Sequence, residues 1–177
     1  MIKLIQTLSN CDKSFFSGWI LAHAKILLQD KAIHYNNNLI NATKQRASFL
    51  VTGTDKNNAV QQSLKVLLLL PKTKANTISQ KTEKIGSYLF KQKFSIAQIN
   101  DYINLSGDKN IIHQGENPIV PGLMMVLYLY EKFKDQTKWD IRFLYPVHAD
   151  EEVFFYQQNT TINAYVNDIS VFTIKFK

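Results

Sequence analysis

The sequence specifies an α+β protein in which one helix is wrapped by an antiparallel sheet, and three of its features say so. Residues 123–130 (LMMVLYLY) are apolar on every side, so a helix there must be covered all round by protein. Four strand-like runs follow at 139–147, 151–157, 161–166 and 169–176. The last sets Ile169, Val171, Thr173 and Lys175 on one face and Ser170, Phe172, Ile174 and Phe176 on the other. A polar stretch at 71–84 (PKTKANTISQKTEK) separates two halves alike in plan and reads as a linker or long crossover.

Element by element, Ser14 is placed to cap a helix over residues 15–28, with strands to follow at 32–41, 47–52 and 60–70. Residues 54–58 (TDKNN) make the turn between the last two, since Asp and Asn tolerate a left-handed backbone. The second half opens with a short strand at 87–94. Next comes Ser95-Ile96-Ala97-Gln98, the S-x-x-Q form of a capping box. Ile96, Ile99 and Ile103 then recur at helical spacing, so a helix runs from 96 to about 104 and ends in Ser106-Gly107-Asp108. Pro121 suits the first turn of the apolar helix that follows it.

With 45% hydrophobic and 12% aromatic residues the chain can bury a real core, which excludes disorder as its main state. A formal charge of +7 favours anionic partners without identifying one, and the basic residues are too spread out, and too free of recognition motifs, for a nucleic-acid binder. The single cysteine, Cys11, cannot form an internal disulfide, and the four histidines are not spaced for zinc, so no metal is expected and the simplest setting is reducing and cytoplasmic. No apolar run reaches the roughly 18 to 20 residues of a membrane span, and residues 1–11 are too short in apolar character for a signal peptide. His23, His34 and His148 match no motif and read as structural or solvent-facing.

Residues 101–113 (DYINLSGDKNIIH) joined to 119–124 (IVPGLM) carry the chemistry. This stretch resembles the MaoC-like dehydratases, the (R)-specific enoyl-CoA hydratases of the hot-dog fold, whose pattern reads F-A-x-L-S/T-G-D-x-N-P-I/L-H and then I-V-x-G-M/L. Leu105, Ser106, Gly107, Asp108, Asn110 and His113 fall on the first block, and Ile119, Val120, Gly122 and Leu123 on the second. Residues 143–153 (FLYPVHADEEV) are similar to the family's later F-x-x-P-V-x-x-G-D-x-V.

The resemblance implies that Asp108 and His113 are catalytic and hold and activate a water. It further implies that Asn110 supports their loop and that the Gly122 amide, at the start of the apolar helix, accepts the thioester oxygen. It implies a fused double hot dog: residues 1–71 a reduced unit without the motif, 72–84 the linker, and 85–177 the unit with the site. It implies an enoyl-thioester hydratase or 3-hydroxyacyl-thioester dehydratase (a lyase) of fatty-acid-type metabolism, with no cofactor. The partner is an acyl-CoA or acyl carrier protein thioester, and a homodimer is among the open oligomeric states. A hot-dog thioesterase and a non-catalytic acyl-thioester binder are the alternatives.

The chain departs from the family in three places. The family's Asn-Pro is Asn110-Ile111, which removes a φ lock; residues 114–121 are shorter than usual; and Pro121 stands where a histidine is common. The short segment leaves the acyl pocket either open at that side or closed by the first half, with Phe15, Phe16 and Trp19 as candidate lining.

Overall fold

The computed structural model describes residues 1–11, 17–71 and 81–177. The chain runs α1 (Ile2–Ser9), β1 (Ile20–Leu28), β2 (His34–Ala42), β3 (Arg46–Thr54), β4 (Val60–Leu69), β5 (Ser87–Gln92), α2 (Ile96–Ser106), a 3-10 turn (Ile111–His113), α3 (Gly122–Lys132), β6 (Lys138–Phe143), β7 (Val153–Gln158), β8 (Thr161–Val166) and β9 (Ile169–Phe176). All nine strands form one antiparallel sheet in the order β2-β3-β4-β1-β6-β9-β8-β7-β5. Each half of the sequence forms a contiguous half of the sheet, and the β1–β6 ladder, with Ala24 opposite Ile141 and Ile26 opposite Trp139, joins them.

The helix expected from residue 15 is a strand from Ile20 onward, while Ser14, Phe15 and Phe16 lie outside the described residues. Ala24, Ile26 and Leu28 are buried and alternate with exposed Lys25 and half-buried Leu27, a period of two. β1 is bonded on both sides, to β4 and β6, so both of its backbone edges are satisfied in a central position. A short apolar run reads equally well as buried helix or central strand, and tertiary pairing decides. The helix of the first half is instead α1, whose Leu4, Ile5 and Leu8 are buried on one face.

Other local expectations agree with the structure. The β3–β4 turn is closed by Asp55 Oδ1, which accepts the Asn57 and Ala59 amides at 2.8 and 3.0 Å, with Asn58 at φ 63°. Ser95 and Gln98 form the reciprocal capping box, and α2 ends at Gly107 in the left-handed region. In α3 no residue from Leu123 to Tyr130 is exposed. Tyr130 packs on Trp139 of β6, Phe133 on Phe176 of β9 and Tyr128 on Phe90 of β5, while Leu123 faces Ile26 and Leu64 of the first half. Strands from both halves therefore cover this helix. Among the described residues no helix is long and apolar enough to cross a membrane.

Leu4 is fully buried where α1 meets the sheet. Leu4→Ala should cost about 2–5 kcal/mol of stability, the usual loss for a leucine truncated in a core, read as a lower denaturation midpoint at unchanged slope.

Candidate active site

The left-handed Gly107 turns the chain out of α2 and into a loop that the sequence closes on itself. Asp108 N–H donates to Ser106 Oγ at 3.2 Å, and Asn110 N–H donates to Asp108 Oδ1 at 3.0 Å. Asn110 then caps the 3-10 turn, its Oδ1 accepting the Ile112 amide, and this turn delivers His113. His113 Nε2 stands 3.6 Å from Asp108 Oδ2, so the two candidate catalytic side chains converge.

At 3.6 Å the pair is too far apart for a direct hydrogen bond. His113 Nδ1 lies 2.7 Å from the Ile119 carbonyl, an acceptor, so Nδ1 carries the hydrogen and neutral Nε2 offers a lone pair. Two acceptors at this distance can share one water that donates a hydrogen to each. Burial holds the His113 imidazole below its ordinary range, against the opposing pulls of the Asp108 charge and the Ile119 carbonyl. The histidine is thus kept as a neutral base.

Asn110 is buried, and its carboxamide reaches into the first half of the chain: Oδ1 accepts the Gly18 amide at 2.9 Å and Nδ2 donates to the Trp19 carbonyl at 2.7 Å. Gly122 is the first residue of α3, where amide groups have no intrahelical acceptor and the helix dipole is positive. A Cβ there would stand 2.9 Å from Phe143 and 3.0 Å from Leu21, so side chains of both halves pack closely on the helix start and would have to shift for any larger residue. The short 114–121 segment is tied down by Val120 N–H donating to the Val147 carbonyl and Ala149 N–H to the Pro118 carbonyl, at 2.8 and 2.9 Å.

Asp108, Asn110, His113 and Gly122 all line one cavity of about 460 Å³. Its walls are mostly apolar, and ten of its 25 lining residues come from the first half of the chain, Leu8 of α1, Trp19, Leu21 of β1 and Leu68 of β4 among them. Trp19 lines this cavity, and Phe15 and Phe16 lie outside the described residues. Sequence reasoning missed the contribution of α1, which an apolar triplet at positions 4, 5 and 8 could have signalled, and it missed Tyr102, which lines the same cavity. His23 lies elsewhere, 2.7 Å from Asp140 Oδ1, on the β1–β6 ladder.

No protein-family model matches the chain, and no curated protein matches it in sequence. Solved structures do match in fold. HtdX from Mycobacterium tuberculosis is 13% identical with a TM-score of 0.71, over 98% of this chain and 82% of that one. A MaoC-like dehydratase is 11% identical with a TM-score of 0.70, over 99% and 83%. An acyl-ACP thioesterase from Bacteroides thetaiotaomicron is 9% identical with a TM-score of 0.56, over 89% and 75%. The chain therefore has the α+β hot-dog fold that MaoC-like dehydratases and acyl thioesterases share; at these identities the likeness is one of fold.

Two measurements probe the site without a substrate. The unfolded chain protonates histidine near pH 6.5 whereas buried His113 resists, so between the two values the unfolded state binds more protons and stability must fall as pH drops below about 6.5. Denaturation across pH 5 to 8 should show this fall, and His113→Gln should flatten it. Gly122→Ala should lower stability by about 1–3 kcal/mol through overpacking against Phe143 and Leu21, read in thermal melts.

Proposed function

We propose that the chain adds water to the double bond of an enoyl thioester, or removes it from the 3-hydroxyacyl thioester, on coenzyme A or acyl carrier protein. The observation that carries this is the convergence of Asp108 Oδ2 and His113 Nε2, 3.6 Å apart, on the wall of an apolar cavity that also holds the start of α3. A water between them donates to both. Its oxygen attacks the β-carbon, forming the C–O bond, while the π electrons move to the α-carbon and on to the thioester oxygen. The Gly122 amide and the α3 dipole stabilise that enolate. One water proton passes to the Asp108–His113 pair, and the pair returns a proton to the α-carbon, so the sum is H and OH across the former double bond.

The reading extends to the architecture: two fused hot-dog units, residues 1–71 and 85–177, joined by 72–84, the first reduced. Contiguity of each half in the sheet supports it. Only the second unit carries the acid–base pair, so one site per chain is proposed. The basic charge suits either anionic carrier. Thioesterases among the fold neighbours favour a second reading, attack of the same water on the thioester carbonyl carbon.

Crotonyl-CoA separates these readings. Loss of the conjugated enoyl absorbance without thiol release is expected; thiol release marks the thioesterase, and binding with neither marks a non-catalytic acyl-thioester binder. Asp108→Asn and His113→Ala should each lower turnover by about 10² to 10⁴, with the double variant little worse because the two act as one device. Full activity of Asp108→Asn would refute the assigned pair.

A further inference from the structure

The buried face of α2 is the stripe Ile99, Tyr102 and Ser106, and it points a phenol at the candidate site. Tyr102 is 5% exposed, and its hydroxyl is the one buried side-chain polar atom without a hydrogen-bond partner among the described residues. Ser106 Oγ, one turn on, is near enough to oppose the effect of burial on the phenol though outside strict bonding geometry, and it also accepts the Asp108 amide. A buried hydroxyl left unmade is disfavoured, and phenylalanine would fill the same volume without that penalty. Packing alone therefore does not account for the oxygen.

We infer that Tyr102 is a positioning residue: when water or substrate occupies the cavity, its hydroxyl donates to the Asp108 carboxylate and fixes it opposite His113. This rests on the reading of Asp108 and His113 as the reacting pair. Asp108 has the capacity to accept it, since Oδ1 takes the Asn110 amide and Oδ2 faces Nε2 of His113, which without a hydrogen donates nothing to it. The titratable groups on the cavity wall are Tyr102, Asp108, His113 and Tyr145. Burial first, and then the Asp108 charge, push the Tyr102 phenol well above its ordinary range, so the hydroxyl keeps its hydrogen wherever the protein is folded. It can therefore serve Asp108 only as a donor, which favours the ionised carboxylate.

Tyr102→Phe tests this on two independent readouts. In crotonyl-CoA hydration, kcat should fall about tenfold with KM held within about twofold, and the acid limb of the pH profile should move to higher pH. In the protein without substrate, with aspartate carboxyl carbons labelled with ¹³C, the Asp108 titration should move up by about one pH unit, because a donor to the charged form is gone. The melting temperature should be unchanged or higher. An unchanged Asp108 titration together with an unchanged kcat would overturn the inference and leave Tyr102 a core residue. If wild type does not hydrate crotonyl-CoA, the functional reading fails on its own, and the carboxyl titration still decides between a hydroxyl that serves Asp108 and one that does not.

Discussion

The Asn110 carboxamide is the point on which the rest of the site hangs, because it is bonded at once to its own loop and to the other half of the chain. Its oxygen accepts the Gly18 and Ile112 amides and its nitrogen donates to the Trp19 carbonyl, with the side chain buried. Hydrogen bonds of this kind contribute about 1 kcal/mol each net. Deleting the carboxamide costs more, because the part-buried amides of Gly18 and Ile112 then lose this acceptor. This also explains how the loop tolerates Ile111 in place of a proline: the extended backbone of Asn110 is set by three side-chain hydrogen bonds rather than by a ring.

Fixing that loop fixes the electrostatics. His113 presents Nε2 to the cavity because the Ile119 carbonyl claims Nδ1, and Ile119 is in turn held by its amide on the Ile112 carbonyl at 2.9 Å and by a bridge to His148. The short 114–121 segment thus has a definite task, which is to bring one carbonyl to the back of the imidazole. A longer segment would be free to wall the pocket. Here that wall is supplied by α1, Trp19 and the ends of β1 and β4.

The second half was legible in the sequence because its chemistry is local. The Ser95–Gln98 box, the left-handed Gly107, Pro121 before an all-apolar run, and the alternation of β9 from Phe172 to Phe176 each determine their element from a handful of neighbouring residues. Asp108 and His113 stand out in the sequence only through the resemblance of residues 101–113 to the MaoC-like pattern, and the structure brings their side chains to 3.6 Å. The first half was not legible in this way. β1 is a strand because β4 and β6 take its two edges, partners about 40 and 115 residues away, and no window of 11 to 18 residues contains that information. α1 is two turns long and stable only against the sheet, and the cavity it helps to line is likewise a product of distant segments.

The two halves consequently divide the work unequally. Among the described residues the second supplies Asp108 and His113, and the first supplies much of the enclosure, so the cavity exists only where the halves are in register. That register is set by the β1–β6 ladder, in which Ala24 meets Ile141 and Ile26 meets Trp139. A slip of one residue there would turn Ala24, Ile26 and Leu28 to the opposite face. It would also carry Trp19 and Gly18 away from Asn110. The same few ångströms of strand pairing that bury the core thus hold the loop of residues 108–113, which ties the geometry of Asp108 and His113 to the folding of strands far away in the sequence.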